Sequence, residues 1–501
     1  MFRPAFALQR LTVAVLLGAS LLAPAVAQLP TLGDGSEMTS AAERRLGEKI
    51  ARELYRDLDY IDDPVLVEYV QGIWQPLLDA ARKRGELTAE LDERFAWQVL
   101  LGKDRIVNAF ALPGGWLGLQ LGLINVTSTR DEIASVLAHE LSHVTQRHIA
   151  RLVSQEKRQA PWVLGAMILG ALAASRSPDA ANAMMAGGQA LAIQNQLNFS
   201  RDMEREADRI GLGVLTQAGY EPQGFVTMFD KLQQASRLND NGAYPYLRTH
   251  PMTTERMADM QGRLQLAPRA AAPTPSVALE HALMTARSRV LSSTGVDALR
   301  AALGEASGLQ AGWPKARRAG ALYAAALAAS RLRDPGNAAS LAQRLTTEVQ
   351  GDAAAMRHAR LLVAEIALAA GQESRAASLL DGAGSSRAEV LLWSQARVGS
   401  GGAHEVAQRL QTWVASQPRD AMAWQLLSSA YGTQGQQLRA VRADAEARVA
   451  QLDYAAALDR LKAAQDLARR GGAAGDYIEA SIIDTRTRQV ESLLREQSLE
   501  R

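Results

Sequence analysis

The sequence predicts an α+β protein in which a mainly helical domain with a small sheet is followed by an α-helical solenoid. Three observations favour this fold class. A helical hydrophobic pattern without Gly or Pro covers residues 129–152, and three β-like segments precede it within residues 95–123. Beyond residue 276 the chain consists of short Ala- and Leu-rich helical segments separated by turns. The composition agrees, because an Ala-rich chain with only 5% aromatic residues favours helices.

Residues 1–27 have the pattern of a secretory signal peptide. Arg3 and Arg10 supply positive charge, residues 11–22 are an apolar segment too short to span a bilayer, and residues 25–27 form a small-residue cleavage site. The chain has no Cys, which excludes both disulfides and lipid attachment by the bacterial lipoprotein route. A chain of this length buries enough core without disulfides. We therefore expect an exported protein of the bacterial periplasm.

The remaining chain is long enough for two or three domains. We expect a first domain in residues 28–266, a Pro- and Ala-rich linker without hydrophobic periodicity in residues 267–275, and a helical domain in residues 276–501. The formal net charge of +2 argues against a nucleic-acid partner.

The first domain begins with two helical patterns, over residues 40–58 and 64–84. The β-like segments predict strands over residues 95–101, 106–112 and 116–123. Alternation in the third segment suits a strand with one buried face. That strand is either core scaffolding or an edge strand beside a binding site, onto which an extended peptide backbone adds by strand pairing.

The predicted helix over residues 129–152 carries the run His139-Glu140-Leu141-Ser142-His143, and Thr129 with Glu132 predicts a capping box at its start. On a helix, His139 and His143 project from one face and are able to bind one small cation. Glu140 lies about 100° around the helix, where its carboxylate reaches a metal-bound water without binding the metal. This pattern is typical of zinc-dependent peptide hydrolases with one Zn²⁺ per subunit. The alternative is a pair of ordinary surface or core histidines.

His148 follows on the same predicted helix. It lies roughly 140° from His143 around the helix axis, so it cannot bind the same metal from that helix. We expect His148 either to face solvent or to support the site from outside. The third metal ligand then has to come from another part of the chain.

A second helical pattern covers residues 199–214 and places Glu204 and Asp208 on one face, with Glu206 about 200° away from Glu204. Acidic residues on a helix are usually solvated surface. Beside two histidines, however, Glu204 completes a His₂Glu site, and Asp208 is suited to hold the ring N–H of a ligand histidine.

Between these two helices lies the segment 161–197, whose apolar stretch is too short for a membrane span. It is a buried helical hairpin, a lid over the cleft, or a surface that contacts lipid or unfolded protein. Periodicity does not separate these three alternatives.

In the last third of the chain, one block has side chains at tetratricopeptide-repeat offsets. They are Trp424, Leu427, Tyr431, Ala440 and Ala447. Together with several more degenerate blocks they favour a tetratricopeptide-like solenoid, with an ordinary α-helical bundle as the alternative. A solenoid offers concave surfaces that bind protein segments.

The sequence resembles the gluzincin metalloproteases, the group that includes the CAAX prenyl endopeptidases. The resemblance is carried by the HELSHVTQRH run from His139 to His148 and by Glu-x-x-x-Asp at Glu204 and Asp208. Asn108-Ala109-Phe110 before Pro113 and Arg248-Thr249-His250-Pro251 match the periplasmic, repeat-tailed members of this group. The membrane-embedded proteins of this group have transmembrane segments. Apart from residues 1–27, this sequence shows no such segment.

This resemblance implies a zinc metalloprotease domain over residues 28–266. In it, His139, His143 and Glu204 are the zinc ligands, Glu140 is the general base, and Asp208 supports a ligand histidine. It also implies that His250 occupies the fourth zinc position and holds the enzyme latent. Otherwise His250 is an ordinary loop residue.

Arg256 either stabilises the oxyanion or anchors its helix. The implied substrates are polypeptides, namely outer-membrane β-barrel proteins handled with their assembly machinery, with peripheral contact to the outer membrane. The competing function is an assembly chaperone or docking scaffold with a latent peptidase.

Overall fold

The protein is described here by a computed structural model that covers residues 38–155, 201–238, 245–266, 274–382, 384–470 and 477–498. The expected signal peptide (1–27), the segment 161–197 and residues 267–273 of the expected linker lie outside the described residues. Within the described ranges the chain is mainly helical and contains one three-stranded sheet, which confirms the predicted fold class.

The helices in the first half of the described chain include the two that the hydrophobic pattern predicts before the sheet. In chain order they are α1 (Ser40–Arg56), α2 (Pro64–Arg84), α3 (Ala89–Arg94), α4 (Leu121–Val126), α5 (Arg130–Thr145), α6 (His148–Gln155), α7 (Arg201–Gln217), α8 (Gln223–Leu238), α9 (Tyr246–Thr249) and α10 (Thr254–Leu266).

The sheet consists of β1 (Gln98–Gly102), β2 (Ala109–Leu112) and β3 (Trp116–Gln120), in the order β1-β3-β2. The β3 strand pairs parallel with β1 and antiparallel with β2. The prediction of a single buried face was wrong, and of the two alternatives for this strand the structure favours core scaffolding. It is neither an edge strand nor half-exposed, because Trp116 packs against α1 while Leu117 joins the core on the other face. It also ends at Gln120, where α4 begins.

A tight turn joins β2 to β3 through Pro113–Gly115. Gly114 and Gly115 have positive φ angles of 72° and 84°, which residues with a side chain rarely adopt. The turn lies directly against α1, where a Cβ added to Gly47 would be 1.9 Å from the Pro113 carbonyl oxygen. These glycines therefore allow the first helix to cover the sheet.

The α5 helix begins as predicted but ends earlier than predicted. Thr129 Oγ1 accepts a hydrogen bond from the Glu132 amide at 3.3 Å, while the Glu132 carboxylate accepts one from the Ser128 amide at 2.6 Å. Arg147 has a φ of 52° and breaks the helix, and an ion pair of 2.9 Å with buried Glu43 holds it there. The expectation of one helix over residues 129–152 was therefore wrong, and His148 starts a new helix.

The second half of the described chain is helical, and each helix packs against the one that follows it. The helices are α11 (Pro275–Ser292), α12 (Val296–Ser307), α13 (Lys315–Arg331), α14 (Pro335–Glu348), α15 (Ala353–Ala369), α16 (Glu373–Leu380), α17 (Arg387–Gly399), α18 (Ala403–Ser416), α19 (Ala421–Thr433), α20 (Gln437–Ala450), α21 (Tyr454–Arg469) and α22 (Tyr477–Ser498).

The side chains that suggested a repeat lie on α19 and α20. Trp424, Leu427, Tyr431, Ala440 and Ala447 are all buried. They therefore pack between helices, as the repeat pattern requires, and the tetratricopeptide assignment and the domain boundaries stay predictions.

The two halves share one hydrophobic core, and α11 is one of the helices that join them. Its His281 Nδ1 lies 2.8 Å from the Tyr69 hydroxyl of α2, and its Ser288 hydroxyl donates to the Leu121 carbonyl at 3.0 Å. The α11 helix thus packs on the first half although it begins at Pro275, where the expected linker ends.

Two arginines of the second half bind the adjacent acidic residues before α2. Arg287 on α11 forms a bidentate ion pair with Asp63 at 2.8 and 2.6 Å, and Arg387 on α17 binds Asp62 at 2.8 Å through both terminal nitrogens. Burial acts to raise the pKa of Asp63, but the Arg287 guanidinium outweighs burial and leaves that pKa below its usual value. Both halves therefore depend on the same buried charges.

Replacing Arg287 with Met should lower the free energy of unfolding by about 3–5 kcal/mol, because it leaves the Asp63 carboxylate buried without its counter-charge. Arg289→Met is the matched control on the same helix, since Arg289 is 46% exposed and its partner Glu305 is 31% exposed. The control should cost less than about 1 kcal/mol. Urea unfolding measures both variants, and an equal loss in the two would contradict a special role for the buried pair.

Candidate metal centre

The centre lies where α5 crosses α7. His139 and His143 project from one face of α5, and Glu204 and Asp208 project towards them from α7. The two helices are in close contact at Gly211. A Cβ added to this residue would lie only 3.1 Å from the Ala138 carbonyl oxygen. A larger residue at position 211 would therefore move the carboxylates away from the imidazoles.

Four side chains bring one donor atom each to a common point. His139, His143, Glu204 and His250 are all buried, and their donor atoms lie within 4.8 Å of one another. The Nε2 atoms of His139 and His143 are 3.0 Å apart. His250 Nδ1 is 3.3 Å from His139 Nε2 and 3.0 Å from Glu204 Oε1.

These separations fit a tetrahedral cation. Zinc binds imidazole nitrogen at about 2.0–2.1 Å, so the ligand atoms of a tetrahedral site lie about 3.3–3.4 Å apart. The imidazole lone pairs converge on one point inside the protein, where water cannot solvate them. The residues present therefore fit a zinc ion held by two or three imidazoles and one carboxylate.

Asp208 and Arg256 support this set of donor atoms from behind. Asp208 Oδ1 lies 3.0 Å from His139 Nδ1, the nitrogen that faces away from the centre. Arg256 binds Asp208 through two hydrogen bonds of 2.7 and 2.8 Å and Glu204 at 2.7 Å. Burial acts to lower the pKa of His139, but the Asp208 and Glu204 carboxylates raise it because they stabilise positive charge at this ring. A bound cation takes the place of the proton on the ligand nitrogen.

Arg256 also fixes the loop that carries His250. Its Nη1 donates to the Pro251 carbonyl at 2.9 Å. The N–H groups of Arg256 are bound by the Asp208 and Glu204 carboxylates and by the Pro251 carbonyl. Arg256 therefore anchors both the site and its own helix in this arrangement. Of the two roles that the sequence allows, the contacts favour the anchor.

His250 follows α9 and enters the centre beside Tyr246. The Tyr246 ring stacks on the His250 ring with centroids 4.6 Å apart, and the His250 amide donates to the Tyr246 carbonyl at 2.9 Å. His250 Nε2 is 3.4 Å from Glu140 Oε1. The imidazole thus lies between the donor atoms of the centre and the Glu140 carboxylate.

Glu140 is completely buried and faces β2, an edge strand of the sheet. Its Oε2 accepts a hydrogen bond of 2.8 Å from the Ala111 amide. Burial raises the pKa of Glu140, although the neighbouring imidazoles of His250 and His139 act against it. A carboxylate with a raised pKa beside a metal site is suited to accept and return a proton.

Comparison with known proteins agrees with this arrangement. Residues 75–264, which contain all of these side chains, match the family model of peptidase family M48. This match makes residues 75–264 similar to that family.

The relatives that this chain matches are proteases. It is 35% identical over 252 residues to the beta-barrel assembly-enhancing protease of Escherichia coli, which covers 48% of this chain and 49% of that protein. The corresponding protein of Yersinia pestis is 34% identical over 283 residues, 55% of this chain and 54% of that protein. The chain therefore aligns with only about half the length of these relatives.

A shorter match is the mitochondrial metalloendopeptidase OMA1 of Arabidopsis thaliana. It is 36% identical over 164 residues, which cover 33% of this chain and 31% of that protein. The described helices include none with the length and apolar character that crossing a bilayer demands.

The matched region brings together the site residues that the sequence singled out, namely His139, Glu140, His143, Glu204, Asp208 and His250. The sequence did not indicate that the Ala111 amide binds Glu140 or that Tyr246 stacks on His250. It also did not indicate that His148 contacts His143 Nδ1 at 2.8 Å and Glu206 at 3.0 Å. Spacing along a continuous helix could not show this contact, because it depends on the helix break at Arg147.

Replacing Arg256 with Met should loosen the loop that carries His250. A hydrogen bond from a charged group is worth about 1.5 kcal/mol or more, so the His250 amide should exchange with solvent at least about tenfold faster. Arg263→Met is the control. Arg263 lies on the same helix, and its side chain and that of its ion-pair partner Asp259 are 40% and 41% exposed. Hydrogen exchange read by mass spectrometry measures both, and unchanged exchange in Arg256→Met would contradict the anchoring role.

Proposed function

We propose that the chain is a periplasmic zinc metalloendopeptidase. One observation carries the proposal: the donor atoms of His139, His143 and Glu204 converge at tetrahedral distances beside the buried Glu140 carboxylate. Imidazole nitrogen with one carboxylate is the ligand set of catalytic zinc, and three protein ligands leave the fourth position for water or substrate. The M48 match and the names of the relatives support the same conclusion.

The side chains then have distinct tasks in hydrolysis. When bound, zinc makes a water more acidic and polarises the scissile carbonyl. Glu140 takes the proton from the attacking water and later delivers it to the nitrogen of the leaving amine. Asp208 keeps the His139 ring oriented, because Asp208 Oδ1 holds His139 Nδ1 at 3.0 Å while Nε2 faces the centre.

The arrangement of His250 supports a latent enzyme. His250 Nδ1 lies at the fourth ligand position, which water or substrate needs, and His250 Nε2 faces Glu140. A fourth protein ligand would exclude both water and substrate, so hydrolysis requires the loop of His250 and Pro251 to move away. Pro251 keeps the backbone before it out of helical conformations, which suits a loop rather than a helix at this place.

Replacing His250 with Ala should raise the rate of peptide hydrolysis by about tenfold if the latent arrangement holds about nine molecules in ten. Zinc content should be unchanged, because the other three ligands remain. His404→Ala, an exposed histidine on α18, is the control. Cleavage of a quenched fluorescent polypeptide measures the rate. A zinc-loaded His250→Ala protein with a rate equal to or below that of the wild type would contradict inhibition by His250.

The substrates we propose are outer-membrane β-barrel proteins that fail to assemble. Support comes from the names of two relatives, which describe proteases that enhance β-barrel assembly. The helical second half, which we propose to be a tetratricopeptide-like solenoid, provides a surface for docking such clients or their assembly machinery. An exported location, with a signal peptide in residues 1–27 and peripheral contact with the outer membrane, belongs to the same proposal.

A second candidate function is an assembly chaperone or docking scaffold whose peptidase is mostly silent. The position of His250 specifically favours it, because an enzyme held latent spends most of its time without activity. The two functions are compatible, since the second half can bind a client whether or not the peptide bond is cut.

Replacing Glu140 with Gln distinguishes these functions. The rate of peptide hydrolysis should fall by at least about 10²-fold, because the amide cannot accept the proton, while zinc content stays the same. Glu53→Gln, a 43% exposed glutamate on α1, is the control. In cells that lack the protein, loss of all benefit from the Glu140→Gln variant supports the protease, and retained benefit supports the scaffold. A variant that keeps full hydrolytic activity would contradict the proposed mechanism.

A further inference from the structure

The His143 ring has a partner of a different kind from that of the His139 ring. His139 Nδ1 faces the Asp208 carboxylate, whereas His143 Nδ1 faces another imidazole nitrogen, His148 Nδ1, at 2.8 Å. The two rings are nearly perpendicular, with centroids 4.9 Å apart and an interplanar angle of 76°. The other nitrogen of His148 lies 3.0 Å from Glu206 Oε2.

The contacts assign the protons of these two rings. A neutral imidazole carries one proton, and only one proton fits between two nitrogens at hydrogen-bond distance. If His143 Nε2 faces the metal, its proton is on Nδ1 and is donated to His148 Nδ1. The proton of His148 is then on Nε2 and is donated to Glu206, whose Oε2 also accepts a hydrogen bond of 2.9 Å from Arg151.

The backbone brings His148 into this position. On a continuous helix the ring would lie roughly 140° from His143. Instead Arg147 adopts a φ of 52°, and Glu43 holds its guanidinium at 2.9 Å. The new helix α6 starts at His148, and its second turn brings Arg151 to the same Glu206 carboxylate.

We infer that His148 and Glu206 are positioning residues for His143, which fix the orientation and the protonated nitrogen of its ring. They would orient the His143 ring as Asp208 orients the His139 ring. Groups that orient a metal-bound imidazole change metal affinity by about 10–100-fold. The inference rests on the proposed role of His143 as a zinc ligand.

Zinc affinity measured by competition with a chromophoric chelator tests the inference without using activity. His148→Phe fills the same volume but accepts no hydrogen bond, so the dissociation constant for zinc should rise by about 10–100-fold. His148→Gln offers a carbonyl oxygen to His143 and an amide to Glu206, so its affinity should stay within about threefold of the wild type. Urea unfolding of the metal-free proteins shows whether each variant is folded.

Glu206→Ala provides a second test at a position that tolerates change, since Glu206 is 30% exposed. Its zinc dissociation constant should rise by about tenfold. Asp202→Ala, on the same helix and 86% exposed, is the matched control and should bind zinc as the wild type does. NMR of ring nitrogens in the zinc-loaded wild type should show the His148 proton on Nε2 and the His143 proton on Nδ1.

Several results would overturn the inference. These are wild-type zinc affinity in a folded His148→Phe protein, an equal loss of affinity in the Gln and Phe variants, or a His148 proton on Nδ1. If His148→Phe does not fold, wild-type affinity in Glu206→Ala overturns it. Failure of the proposed function gives a different result, because then the wild type itself binds no zinc and His143→Ala changes nothing.

Discussion

The centre depends on how the charge of Glu204 is compensated. This carboxylate is 1% exposed, and a buried ion costs far more free energy than the chain can tolerate unless opposite charges and hydrogen bonds surround it. Burial acts to raise the pKa of Glu204, but the surrounding imidazoles of His250, His139 and His143 hold that pKa well below its usual value. Arg256 adds a guanidinium at 2.7 Å.

This compensation requires elements far apart in the sequence to converge on one place. The imidazoles come from α5, the carboxylates from α7, and His250 and Arg256 from the loop before α10 and from that helix. A shift of any one element would leave buried charge without a partner. The close approach of α7 at Gly211 and the hydrogen bond from Arg256 to the Pro251 carbonyl keep these elements in place.

Local sequence was enough to predict the parts of the fold that follow from helical periodicity. The four-residue spacing of His139 and His143 predicts a shared face, and the same spacing relates Glu204 to Asp208. The break at Arg147 could not be predicted. The left-handed backbone conformation of this residue is stabilised by Glu43, which lies more than a hundred residues earlier. The burial of β3 on both faces likewise depends on tertiary packing, since alternation in a single strand does not show what covers its second face.

The shared core has a consequence for how such a chain can change. Because α11 packs its apolar side chains into the first half and places Arg287 against Asp63, the first half and the helical second half meet through a closely matched surface. A chimera that joins the first half of this chain to the helical half of another protein would inherit two mismatched faces. Such a chimera would therefore need α11 and the acidic pair before α2 from the same parent.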